Sequence, residues 1–207
     1  MVANPKSFMD STAVVGRTVS CNNNYITWKI MLKYVDTKIV FAEVPNEVTL
    51  AINISNCPCH CEGCHSPYLA GDIGEILDED ALEEMVLANK GITCIAFMGG
   101  DSDPESINRL AEFVKKKRSI GLKEWNNIRV AWYSGRDIQA DEIDLKNFDY
   151  IKLGPYMEEY GPLTRRGTNQ RFYWVCKAIH EYPNLKKEER YYTIDTTSEF
   201  WKDETKD

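Results

Sequence analysis

The sequence predicts an α/β fold built on a mostly parallel sheet, and three observations predict it. From about residue 38 onward, β-branched strand-like runs alternate with amphipathic helix-like runs. The strand-like runs end in loops that carry Gly or Cys. The 207 residues fit one domain, which at this size buries roughly 70% of its unfolded surface without covalent staples. In such folds ligands bind beyond the carboxyl ends of the strands, so those loops mark the expected site.

Residues 1 to 30 are polar and show neither sustained alternation nor a helical stripe, which predicts an extension of unknown role that includes Cys21. Met31 opens "MLKYVDTKIVF", where patterned sequence begins, and residues 31–207 form the expected domain. "KIVFAEV" and "VTLAINI" read as strands separated by the turn signal Pro45-Asn46, and the second leads directly into the cysteines. "LDEDALEEMVLANKG" predicts a helix with Leu82, Met85, Val86 and Ala88 on its apolar face, a capping box from Asp80 to Glu83, and Gly91 as the stop. "ITCIAFMGG" predicts a buried strand ending in paired glycines. "DPESINRLAEFVKKKRSIG" predicts a second helix, with Asp103 as N-cap, Pro104 at the first position, and Ile107, Leu110, Ala111 and Val114 inward. The lysines at its end complement the helix dipole. "NIRVAWYSG" predicts a strand, "IDLKNF" a short helix, and "YIKLGP" a last strand.

Composition excludes several classes of function. A formal charge of −7 and a pI near 5.1 provide no general field for phosphates, which argues against nucleic acid as a partner, and no apolar run is long enough to span a membrane. Seven cysteines are an odd count, four of them are crowded together, and no charged n-region with an apolar h-region opens the chain. These features argue against a secreted disulfide scaffold and predict a reducing, cytoplasmic compartment.

The crowded stretch is "NCPCHCEGCH", Asn56 to His65. Cys57, Cys61 and Cys64 are spaced C-x3-C-x2-C, so one loop can wrap three thiolates around a metal centre while Gly63 permits a tight turn. A cubane iron–sulfur cluster held by three cysteines leaves its fourth iron open to an exogenous ligand, unlike the four-cysteine sites of simple electron carriers. Taken alone, the stretch also fits a structural zinc knot drawn from Cys57, Cys59, Cys61, Cys64, His60 and His65.

The spacing resembles that of the radical S-adenosylmethionine (SAM) superfamily. Two further segments extend the resemblance: "AFMGGDSDP" at Ala96 to Pro104, similar to the Gly-Gly-Glu/Asp segment after the next strand, and "RRGTNQR" near the C-terminus, similar to a segment of anaerobic ribonucleotide reductase activating proteins. Together they cover roughly residues 38 to 175. The resemblance implies a partial, open (β/α) barrel and a [4Fe-4S] cluster on Cys57, Cys61 and Cys64 that cleaves SAM with one electron. The resulting 5′-deoxyadenosyl radical would take a hydrogen from a glycine of the large subunit of the reductase. A one-electron donor such as flavodoxin is implied as a second partner.

By the same resemblance, Gly99 and Gly100 would admit SAM close to the backbone, Asp101 would lie near its ammonium group, and Ser134 with Gly135 would contact ribose and methionine. Gly63, Cys64 and His65 would complete the loop side of the cofactor site. Three departures stand out. His65 occupies a position that is commonly aromatic and near adenine, Cys59 is additional, and Asp101 is followed by Ser-Asp-Pro rather than directly by Pro. Cys59 and His60 have no role in this pattern. Two other functions remain open: another small radical SAM enzyme, and a zinc-stabilised module without catalysis.

Overall fold

The computed structural model describes residues 31–136, 143–180 and 188–201, and before them two short strands. The chain divides into two compact units, Met1–Ile30 and Met31–Asp207. In the first, β1 (Val19–Cys21) pairs antiparallel with β2 (Asn24–Ile26), with Val19 opposite Ile26. The polar composition of this segment gave no sign of a hairpin.

Among the described residues, the second unit carries one eight-stranded sheet. Its strands are β3 (Lys33–Val40), β4 (Thr49–Ile54), β5 (Glu75–Ile76), β6 (Cys94–Met98), β7 (Arg129–Tyr133), β8 (Tyr150–Leu153), β9 (Arg171–His180) and β10 (Glu188–Asp195), in the spatial order β10-β9-β8-β7-β6-β4-β3-β5. Parallel pairing is confined to the centre, β4 with β6, β6 with β7, and β7 with β8. Both margins are antiparallel: β5–β3–β4 on one side and β8–β9–β10 on the other. Among the described residues, two α-helices lie on the crossovers, α1 (Glu79–Ala88) between β5 and β6 and α2 (Pro104–Ser119) between β6 and β7.

Strand alternation sorts side chains into two unequal faces. Leu50, Ile52 and Ile54 of β4, Ile95 and Phe97 of β6, and Val130 and Trp132 of β7 share a core with Leu82 and Val86 of α1 and with Ile107, Leu110, Ala111 and Val114 of α2. Burying Ile107, Leu110 and Val114 completely contributes about 1.5–3 kcal/mol each. The opposite face is built from small residues, with Ala51 in register with Ala96 and Ala96 with Ala131. Tyr150 and Phe172 pack with Ala96 and Ala131 on that face. One row further toward the carboxyl edge, Asn53, Met98, Tyr133 and Lys152 stand side by side across β4, β6, β7 and β8.

Several local expectations shift. The N-cap of α1 is Asp78, whose carboxylate accepts the Ala81 N–H at 2.9 Å, not Asp80. Asp78 holds extended backbone and Asp80 is already helical; Ala88, expected on the apolar face, is exposed. For α2 the Asp103 cap and the inward face stand as expected, with Asp103 accepting from Ser106 N at 3.1 Å. The strand expected over residues 38–44 runs instead over Lys33–Val40, with a bulge between Tyr34 and Asp36. It stops before Phe41, which is strongly exposed. "IDLKNF" forms a single 3₁₀ turn at Leu145–Asn147. Residues 137–142, like residues 181–187, lie outside the described residues. Among the described residues, no helix is long and apolar enough to cross a membrane.

Candidate metal centre

The cysteine loop leaves β4 directly and returns along the 3₁₀ turn Pro67–Ala70. Its ends are tied by backbone bonds from Asn56 N to Gly71 O and from Cys57 N to Leu69 O, both 2.9 Å. Asn56, His60 and Gly63 adopt positive φ (58°, 44° and 70°). Three left-handed residues in such a short span fold the loop tightly enough to turn its thiols toward one place. Cys61 and Cys64 bracket a turn in which Cys64 N donates to Cys61 O at 3.2 Å, and Ser66 N donates to Cys64 Sγ at 3.4 Å.

All four loop cysteines are free thiols and line one cleft of about 400 Å³ at the carboxyl edge of the parallel strands. That volume is in the range of cofactor and small-molecule sites. The row Asn53, Met98, Tyr133 and Lys152 contributes to its walls, together with Gly99, Asp101, Ser134 and Gly135. Among the expected residues, Cys57, Cys61, Cys64, Gly99, Asp101, Ser134 and Gly135 therefore meet in one cavity, while Gly63, His65 and Gly100 are outside its lining.

Asp101 joins the loops after β6 and β7. Its carboxylate is 2% exposed and accepts hydrogen bonds from Ser134 Oγ at 2.5 Å and Gly135 N at 3.0 Å. Arg136 reinforces the link, with Nε 3.5 Å from Asp101 Oδ1 and Nη2 donating to the Asp101 carbonyl at 2.7 Å. Charge-assisted bonds of this kind fix the two loops relative to each other.

The glycines have structural reasons of their own. Gly99 and Gly100 hold φ of +104° and +89°, a conformation open mainly to glycine. A Cβ on Gly100 would lie 2.5 Å from Ile107 Cδ1, and one on Gly99 would lie 3.2 Å from the Ile54 carbonyl oxygen. Gly100 thus makes room for α2. A Cβ on Gly135 would collide with Cys59 Sγ, so the additional cysteine occupies the space beside Gly135.

The electrostatics distinguish the cysteines. A hydrogen bond from the Cys59 thiol holds Cys57 down at about 6, on the thiolate side of neutrality. The same bond, with burial, pushes Cys59 up. Cys59 Sγ also lies 3.8 Å from Asp101 Oδ2, and the potential ligand atoms of Cys57, Cys59 and Asp101 all lie within 4.8 Å of one another. The loop after β8 closes the other side. His65 packs against Tyr156 with ring centroids 5.1 Å apart, and Tyr156 lines the cleft.

Sequence reasoning missed Lys152 and Tyr156. Lys152 is 9% exposed, and its one visible signal was a cation inside the apolar strand "YIKLG". The "RRGTNQR" segment, which without the resemblance reads as a solvated basic loop, has a buried interior. Thr168 and Gln170 are 1% and 5% exposed and donate to the Gly161 carbonyl at 3.4 and 3.2 Å. Asn169 Nδ2 donates to the Pro155 carbonyl at 2.8 Å. The segment braces the loop that carries Tyr156.

Four soft thiols lining one cleft, one of them depressed, form a donor set suited to zinc or to an iron–sulfur cluster. The chain belongs to the 4Fe-4S single cluster domain family, whose model matches residues 47–172. That span begins just before β4 and ends at the start of β9, enclosing every residue that lines the cleft. No curated protein and no solved structure matches the chain.

Proposed function

We propose that the chain is a radical SAM activase that generates a glycyl radical on the large subunit of an anaerobic ribonucleotide reductase, working on a partial open (β/α) barrel. The observation that carries this reading is the placement of Cys57-x3-Cys61-x2-Cys64 at the carboxyl end of β4, facing the Gly99-Gly100-Asp101 and Ser134-Gly135 loops across one cleft. A four-iron cluster with three protein ligands supplies, when bound, one electron and an open coordination position.

The chain's own residues provide the rest. Cys57, Cys61 and Cys64 would hold the cluster, and the Ser66 N–H, donating to Cys64 Sγ at 3.4 Å, helps fix the position of that sulfur. Asp101 ties the loop after β6 to the Ser134-Gly135 loop, which holds rigid the wall of the cleft that faces the cysteines. Leu69, Met98 and Tyr133 give the cleft apolar walls, which exclude water from a reactive species. The electron is expected from a carrier such as flavodoxin.

The test mixes anaerobic, reduced protein with SAM and the candidate reductase, then records electron paramagnetic resonance (EPR). A glycyl radical doublet on the reductase is the expected result. If 5′-deoxyadenosine forms without a protein radical, the partner is wrong and another small radical SAM activity takes its place.

A second reading has one observation in its favour. Cys57, Cys59 and Asp101 are close enough to share a single ion, as in a structural zinc site. A colourless, anaerobically purified protein carrying one zinc would support it against the first.

A further inference from the structure

Lys152 is a buried cation whose counter-charge is missing from its own surroundings. It ends the row Asn53, Met98, Tyr133, Lys152 on the cleft side of the sheet, is 9% exposed, and lines the cleft with the four loop cysteines. Its Nζ donates to the Gly154 carbonyl at 2.7 Å. It forms no ion pair with a carboxylate of the described residues. An ammonium withdrawn from water costs several kcal/mol unless a charge compensates it. The groups whose charge favours its protonated form are Cys61, Asp101 and Cys59, in that order. Asp101 is already engaged by Ser134, Gly135 and Arg136, so the sulfurs of the cysteine loop are the counter-charge still open to it.

We propose that Lys152 is a positioning residue that sets the reduction potential of the cluster held in this cleft, its positive charge favouring the reduced state. The inference rests on the cleft holding an iron–sulfur cluster. Three cysteine thiolates bring three negative charges to the site, and reduction adds one more. Net charge and local fields are among the main determinants of cluster potential. In the step at issue one electron enters the cluster from the reductant, no bond forms or breaks, and Lys152 keeps its proton. A fixed cation in a partly dry cleft stabilises the more negative state more than the less negative one.

The hydrogen bond to Gly154 offers a purely structural alternative, and side-chain chemistry separates the two. Lys152→Gln can still donate to the Gly154 carbonyl but carries no charge. Lys152→Met loses both, and Lys152→Arg keeps the charge. Each is loaded anaerobically, assayed for iron and sulfide, and titrated against potential with EPR detection of the reduced cluster. The expected result is a full cluster complement in all four proteins. At the wild-type midpoint the ratio of reduced to oxidised cluster should fall about tenfold in Lys152→Gln and Lys152→Met, 59 mV for one electron, and hold near its wild-type value in Lys152→Arg.

A Lys152→Gln protein with a full cluster and an unshifted midpoint would overturn the proposal, leaving Lys152 as a brace for Gly154. A Lys152→Arg midpoint displaced as far as that of Lys152→Met would also overturn it, since packing and not charge would then be the cause. A wild-type protein without iron and sulfide would remove the cluster reading itself, and the metal assay identifies that failure before any potential is measured.

Discussion

Replacing Gly100 by Ala probes how the sheet meets α2 beneath the site. Two separate costs follow from the structure. At φ of +89° any residue with a Cβ is strained by about 1–2 kcal/mol. The new methyl would also lie 2.5 Å from Ile107 Cδ1 and 2.7 Å from Ile107 Cγ1, inside a core where Ile107 is fully buried. Overpacking of that kind costs about 1–3 kcal/mol. The sum is about 2–5 kcal/mol, which in a chain of this length lowers the thermal midpoint by roughly 4–20 °C. Gly91→Ala is the internal control, because Gly91 has the same φ of +89° with nothing within 4 Å of a new Cβ. It should lose only the conformational part. Thermal unfolding of both variants, cluster-loaded and anaerobic, reads the difference. Equal losses in the two would refute the claim that Gly100 exists to seat Ile107, as would full additivity when Gly100→Ala is combined with Ile107→Val.

The cysteines and the buried lysine give two further expectations. Cys61→Ala should abolish cluster retention and SAM cleavage while Cys59→Ala keeps both, as judged by iron content and 5′-deoxyadenosine yield; loss of the cluster in Cys59→Ala would move a ligand from the C-x3-C-x2-C set to Cys59. In metal-free protein, burial lowers Lys152 to about 8 against about 10.4 in an unfolded chain. The unfolded state therefore binds more protons between those values, and stability should rise with pH across that window by about 3 kcal/mol. Denaturant unfolding of wild type against Lys152→Met isolates this term, and parallel pH profiles for the two would contradict it.

Where local chemistry was unambiguous, the sequence located structure well. Asp103-Pro104 marked the start of α2, and Ile107, Leu110, Ala111 and Val114 marked its inward face, because cap, proline and 3.6-residue period agree there. At α1 three acidic residues compete for the cap, and composition alone does not rank Asp78 above Asp80. The hairpin β9–β10 was not anticipated. Both faces of β9 carry apolar residues, with Tyr173 and Val175 toward the helices and Phe172 and Trp174 on the opposite face, so no period-2 contrast shows. Trp174, Tyr192 and Ile194 also remain 45–49% exposed, which blurs the pattern further.

The site was legible to a similar degree. The C-x3-C-x2-C spacing singled out Cys57, Cys61 and Cys64, and the family resemblance added Asp101, Ser134 and Gly135; all six lie in loops at one edge of the parallel strands and line one cleft. What spacing does not carry is which neighbours fill the gaps. Cys59 beside Gly135, Tyr156 against His65 and Lys152 in the wall of the cleft depend on strand register and on the loop braced by Thr168 and Gln170. Register is a property of the sheet as a whole, fixed by pairings far apart in sequence.

The central claim is a cubane cluster on three cysteines with one iron left open for SAM. The most direct test is the EPR spectrum of the anaerobically reduced protein, recorded with and without SAM. The account predicts a reduced [4Fe-4S] signal whose line shape changes when SAM is added. A reduced cluster signal that SAM leaves unaltered, or protein with no such signal at all, would contradict it.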